Sequence, residues 1–208
     1  LRPELFDLDR LAKKSRDLDI QISVTMGLPL AKDVSSEDVN VVAAGKTMLA
    51  DAVKAVRDLG GDKLGGILYS AHTKYNRQPT QDGWKNSVEA IAETAEIAEA
   101  AGVNLVLELV NRFETNLLNT TAQGMKFIAE TGNDHVQLHM DTFHMQMEEA
   151  DLGAAIRLAR EKIGYFHIGE SNRGYLGDGT IQWEPVFDAL VEIGYDGDVV
   201  FESFSTAI

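Results

Sequence analysis

Residues 104–114, NLVLELVNRFE, set the reading of the whole chain. Asn104 to Val110 is a run of branched and long apolar side chains, the pattern of a strand buried on both faces. Glu108 interrupts it. A carboxylate inside such a strand is costly unless it is paired or bound to a metal, because no water reaches it. Three later runs repeat the arrangement: VQLHMDTFH carries Asp141, YFHIGE carries His167 and VVFES carries Glu202. Glu, Asp, His and Glu at the ends of four successive strands point to one metal site.

Around this stretch the chain alternates strand and helix patterns. Leu5, Leu8, Leu11 and Ala12 have helical spacing, and Ile20 to Thr25 reads as a strand. Ser35 or Ser36 is placed to cap a helix whose inward stripe is Val42, Gly45, Leu49, Ala52, Val56 and Leu59, ended by Gly60 and Gly61. A strand follows over Lys63 to Tyr69, then a polar loop over 70–83. Trp84, Val88, Ile91, Ala95 and Ala98 mark the next helix, stopped by Gly102 before the strand at 104–110.

The second half repeats the pattern. Thr120-x-x-Gln123 has capping-box spacing and predicts a helix to about Thr131, closed by Gly132. Strands are expected over Val136 to Met140, Tyr165 to Ile168 and Asp198 to Phe201. Helices are expected over Glu149 to Lys162 and from Trp183 to Gly194.

Six strands joined by helical crossovers make a parallel sheet with helices outside it. An open doubly wound sheet gathers ligands at one switch point, whereas four consecutive strands each carry a candidate ligand here. Convergence of consecutive strand ends is the property of a barrel mouth. The expected fold is therefore an α/β (β/α)8 TIM barrel, incomplete at about six strands; a six-stranded open fold is the alternative. The reading places a single domain over residues 1–208, truncated at both ends, with about two βα units expected before Leu1 and a helix after Ile208.

Bulk composition narrows the function. The charge balance of 19 basic against 33 acidic residues gives −14, which repels nucleic acid and anionic membrane. No apolar run approaches the roughly 18–20 residues of a membrane span, and no signal-peptide pattern is present. There is no cysteine, so a metal must take oxygen and nitrogen donors. A soluble cytoplasmic enzyme acting on a small molecule is the expectation, with neither nucleic acid nor membrane as partner.

At LELVNRFE, MDTFH, FHIGESNR and VVFES the chain resembles the D-tagatose/D-psicose 3-epimerase family, within the xylose-isomerase-like sugar isomerases and epimerases. The likeness extends over nearly the whole chain from about Asp19. It implies that the six strands are the third to the eighth of the barrel, with Glu108, Asp141, His167 and Glu202 as metal ligands. It further implies that Glu114, His144 and Arg173 contact the substrate, and that the full-length protein is a homo-oligomer.

Three carboxylates and one imidazole suit one divalent ion, Mn²⁺ first, with Co²⁺ or Mg²⁺ as alternatives. Such an ion makes the proton at C3 of a ketose removable. The expected reaction is epimerisation of a free ketose at C3, by deprotonation and reprotonation through an enediolate held on the metal. Glu108 and Glu202 would be the catalytic pair on opposite faces, the roles that the family assigns them. An aldose–ketose isomerase on the same site and a non-catalytic sugar-binding barrel are the competing readings.

Individual residues also admit plainer readings. A Glu in an apolar strand can pair with an arginine, although no Arg or Lys lies in the strands ending at 141, 167 or 202. Asp141 could cap the following turn, His144 could be a packed histidine, and Arg173, in the loop GESNRGYLGDG, could be solvated. His139 and His135 read as supporting residues, and Glu170 as a candidate to orient His167. His72 sits in a strand-end loop with no partner evident in the sequence. Trp183 and Phe187 read as helix-to-barrel packing. The chain departs from the family pattern at Ser203, where many members have proline, and in GYLGDG at 174–179. Both bear on which ketose is preferred.

Overall fold

The computed structural model describes residues 7–204. Six parallel strands lie in sequence order: β1 Ser23–Leu28, β2 Lys63–Ala71, β3 Asn104–Glu108, β4 Val136–Asp141, β5 Ile163–Ile168 and β6 Val199–Phe201. Seven helices accompany them: α1 Leu8–Leu18, α2 Val39–Leu59, α3 Gln81–Ala101, α4 Thr121–Thr131, α5 Thr142–Glu148, α6 Leu152–Ala159 and α7 Trp183–Glu192. Among the described residues β1 and β6 pair only with β2 and β5, so the sheet does not close through hydrogen bonds. It is nevertheless curled, because β1 and the end of β6 wall the same cavity. This is the incomplete barrel expected from the sequence. No helix among the described residues is long and apolar enough to cross a membrane.

Local signals account for most boundaries. Thr120 and Gln123 form the expected reciprocal capping box at α4. α2 begins at Val39 because Asp38 caps it through Asn40 N; Ser36 instead accepts the Asp38 amide and turns the chain into the cap. α3 starts earlier than Trp84, since the Thr80 hydroxyl receives the Gly83 amide. The helix expected over 149–162 is α6, Leu152–Ala159, extended by a 3-10 turn over Arg160–Lys162, and the short α5 that precedes it was not expected. Asp141 caps a short α5 through Phe143 N, and Asp151 opens α6 through Ala154 N.

The first strand lies three residues later than its apolar pattern suggested. The Ile20 amide donates to Ser15 O at 2.9 Å, which keeps Ile20 at the end of α1 and leaves it exposed. Leu5 belongs to the sequence pattern of α1 but lies outside the described residues.

The core lies between the curled sheet and the helices. Leu49, Val53 and Val56 of α2, Ile91 and Ala95 of α3, Phe127 of α4, Ile156 of α6 and Val186 of α7 are all fully buried in it. Strands β2 to β5 are buried on both faces, as strands covered by crossover helices must be. Gly66 in β2 has φ +103°, and a Cβ there would strike the carbonyl of Met26 in β1. Only glycine lets these strands approach so closely.

Candidate metal centre

Register brings the interrupting side chains together. Glu108 pairs with His139 across β3–β4, and Asp141 pairs with His167 across β4–β5. His139 and Asp141 are two apart on one strand and so share a face. His167 pairs with Val200, two residues before Glu202, which puts Glu202 on the same face one step further along. Ligand atoms of Glu108, Asp141, His167 and Glu202 all lie within 4.8 Å of one another. The four residues expected from the sequence thus form one cluster at the strand ends.

The cluster fits a hard or borderline divalent ion by its donor chemistry: three carboxylates and one imidazole, with no sulfur. Its electrostatics agree. Burial, followed by the Asp141 and Glu202 charges, pushes the Glu108 carboxyl up to about 8. Asp141 has no exposed surface, and burial together with Glu202 pushes it to about 8 as well, outweighing Arg173. For Glu202, burial is overcome by the hydrogen bonds with His167 and Asp141 and the Arg173 charge, which hold it well below the usual carboxylate range. Two carboxyls that resist ionising beside one that does not describe a cluster short of positive charge.

Arg173 supplies part of that charge. Its Nη1 lies 2.8 Å from Asp141 Oδ2 and 2.9 Å from Glu202 Oε2. The strands indeed carry no cationic partner; it arrives from the loop after β5. A Cβ at Gly169 would meet the guanidinium, so glycine there opens its path. The Phe143 ring supports the guanidinium from one side, 3.9 Å from Cζ. Glu170 does not orient His167. It is fully buried and accepts from the amides of Ser171, Gly177 and Gly179, which folds the loop that presents Arg173. Ser203 ties the same loop to the tail of β6, its hydroxyl donating to Gly174 O at 3.1 Å.

His144 lies beside the cluster and lines the same cavity. Its Nδ1 accepts from the Asn111 side chain at 2.8 Å and the Asn111 amide at 3.2 Å. Burial lowers its pKa to about 4, so the ring is neutral and the proton resides on Nε2. That Nε2 faces Glu108 Oε1 at 3.7 Å and Arg173 Nη2 at 3.3 Å. The two donors stand side by side at the edge of the cavity, where one oxygen could accept from both.

Glu114 joins the same network, accepting from Asn111 Nδ2 at 2.8 Å and bonded to His72 Nε2 at 2.9 Å. His72, without an evident partner in the sequence, therefore has one. His135 is bonded to Asn104 at the opposite end of the strands and is structural. His139 is fully buried, with neither ring nitrogen hydrogen-bonded, 3.8 Å from Glu108 and edge-on to His167. With Glu108 and His167 it forms a second, three-membered group of potential donors. Trp183 and Phe187 stack on each other outside the cavity, in keeping with a packing role.

The cluster opens on a cavity of about 440 Å³. Glu108, Glu114, His144, Arg173 and Glu202 line its polar side, while Met26, Ile67, Val110, Phe143 and Phe204 give it apolar walls. Asn111 and Phe143 lay within motifs quoted from the sequence, yet nothing there assigned them a role. Asn111 acts through two partners 3 and 33 residues away, and Phe143 through the loop that returns over it.

Comparison with known proteins agrees with this geometry. The family described as xylose isomerase-like TIM barrel matches residues 2–207. The chain is 52% identical to L-ribulose 3-epimerase of Mesorhizobium japonicum, over all of this chain and 70% of that protein. It is 42% identical to ketose 3-epimerase of Arthrobacter globiformis, over 99% of this chain and 71% of that protein. A crystal structure of D-allulose 3-epimerase from Methylomonas sp. in complex with D-allulose superposes with a TM-score of 0.96, at 38% identity, covering 100% of this chain and 72% of that one.

Proposed function

The chain belongs to the ketose 3-epimerases, within the xylose isomerase-like TIM barrels, and on that premise we propose that it inverts C3 of a free ketose with the help of one divalent ion. The observation that carries the reading is the pair Glu108 and Glu202. They stand on β3 and next to β6, with two strands between them, and face one cavity with proton affinities displaced in opposite directions. Carboxyls separated in this way are suited to take and give a proton.

Glu108, Asp141, His167 and Glu202 would hold the ion, with Mn²⁺ preferred and Co²⁺ or Mg²⁺ as alternatives. Bound there, it would draw electron density from the ketose carbonyl and acidify the C3 hydrogen. Glu108 or Glu202, according to the direction of reaction, removes that proton. The other, carrying a proton as the carboxylic acid, gives it to the opposite face of C3 and is left as the carboxylate, which inverts the centre. His144 Nε2–H and Arg173 Nη2 donate to a sugar oxygen, and Glu114 accepts from a sugar hydroxyl. The apolar walls limit water around the reacting carbon.

The test is epimerisation of a ketohexose by full-length protein with Mn²⁺ in D₂O, read by NMR. Deuterium is expected at C3 of the epimer and not at C1, with no aldose formed. Glu108→Gln and Glu202→Gln should each abolish inversion while metal content is measured on the same samples. Label at C1 or C2 with an aldose product would make the protein an aldose–ketose isomerase. No exchange in metal-loaded protein, tried with several ketoses, would favour a sugar-binding barrel.

A further inference from the structure

The network from the metal cluster through His144, Asn111 and Glu114 ends at His72, on the loop after β2. Two backbone bonds fix this residue: its amide donates to Leu28 O at 2.8 Å, and the next amide, Thr73, donates to Glu114 O at 2.8 Å. Its side chain is half exposed and lines the same cavity as the carboxylates. Glu114 receives Asn111 on one oxygen and His72 Nε2 on the other. A carboxylate only accepts, so Nε2 carries a proton, and in the neutral form of the ring Nδ1 is an acceptor.

Gly27, at the cavity wall on β1, faces the His72 ring, and a Cβ at 27 would lie 2.8 Å from His72 Cβ and 3.0 Å from Nδ1. Glycine at 27 is therefore what lets the ring lie close against β1 at the cavity wall. The ring lies on the β1–β2 side of the cavity that Glu108 and Glu202 also line. A ketose reacting between Glu108 and Glu202 would have its remaining hydroxyls in the cavity that His72 also lines.

We propose that His72 is a specificity-determining residue, its Nδ1 accepting a hydrogen bond from a ketose hydroxyl beyond C3 in the cavity beside Gly27. This rests on the ketose reading above. It explains in one arrangement why the half-exposed ring is tethered at Nε2 and why the facing strand residue has no side chain. The alternative is that His72 only orients Glu114.

Side-chain amides separate the two roles. An Asn amide oxygen falls near the position of Nδ1, and a Gln amide nitrogen near that of Nε2. Affinity of Mn²⁺-loaded protein for a 2-ketohexose and its 4-, 5- and 6-deoxy analogues is measured by calorimetry, alongside kcat and KM. His72→Gln and Gly27→Ala should each weaken ketose binding about tenfold, the worth of one hydrogen bond, with KM rising and kcat little changed. His72→Asn should stay within about threefold of the parent protein. The His72→Gln loss should vanish for the one analogue lacking the hydroxyl concerned. Unchanged affinity in His72→Gln with loss in His72→Asn would overturn the proposal in favour of Glu114 orientation, as would an equal loss with every analogue. Parent protein that binds ketoses without inverting them would sink the epimerase reading and leave the His72 comparison intact.

Discussion

Nη1 of Arg173 lies 2.8 Å from Oδ2 of Asp141, a carboxylate with no exposed surface. The guanidinium thus neutralises part of a cluster that also suits an ion. Arg173→Gln should destabilise the metal-free protein by about 2–4 kcal/mol, the penalty for leaving a buried charge without its partner. Saturating Mn²⁺ should remove most of that loss. Urea unfolding with EDTA and with Mn²⁺ measures both; equal losses in the two conditions would place the role of Arg173 elsewhere.

The pH dependence follows from the same charges. Glu108 and Asp141 have folded values of about 8, above their ordinary 4.5 and 3.8, so the folded chain binds more protons than the unfolded one as pH rises between those limits. Their contribution is present at low pH and is lost as pH rises through 8. His144, lowered to about 4 from 6.5, opposes this trend only below pH 6.5. Metal-free protein should therefore lose about 1–2 kcal/mol per pH unit between pH 6.5 and 8. Over the same window the affinity for Mn²⁺ should rise, because binding must displace those protons. Thermal unfolding and metal titration across the window check the two slopes.

Asp141 and Glu114 should separate when each is replaced by its amide. Asp141→Asn keeps an acceptor for the Phe143 amide, so α5 stays capped, yet metal affinity should fall about 100-fold, or 2.7 kcal/mol. Glu114→Gln should leave metal affinity unchanged and raise KM about tenfold. Calorimetric titration of both variants decides; undiminished metal affinity in Asp141→Asn removes it from the ligand set.

Gly66→Ala tests the close approach of β1 and β2. Positive φ and the Met26 carbonyl both oppose a side chain there, so a loss of about 2–4 kcal/mol is expected by denaturant unfolding. Gly102→Ala, at a helix end with open space around the Cβ position, carries only the φ penalty and should cost about 1 kcal/mol.

Legibility in the sequence followed from how local each signal was. Glu108, Asp141, His167 and Glu202 were readable because each is a polar side chain at or near the end of an apolar run, and parallel register then aligns the strand ends. α5 was missed because seven residues are too few for a helical period to show. The position of β1 was misjudged because Ile20 looks like strand sequence but is tied to α1. Arg173's partners were hidden because they depend on how Glu170 folds a loop of ten residues, and the His72–Glu114 bond because it joins two loops 42 residues apart.

Glu108 and Asp141 end, and His167 nearly ends, strands that are paired on both sides, and Thr142 bonds to both the amide and the carbonyl of Gly169 just past β4 and β5. Glu202 follows a strand of three residues, paired on one side among the described residues, with Val199 43% and Phe201 68% exposed. One member of the proposed catalytic pair is therefore anchored and the other is compliant. An ion gripping all four would fasten the loosest strand to the three firmest, so occupancy of the centre and order at this edge become a single equilibrium. Amide exchange at Phe201 and Glu202 should slow on adding Mn²⁺, while β3 to β5 barely change. The ion would then be a clasp for the scaffold as well as a reagent.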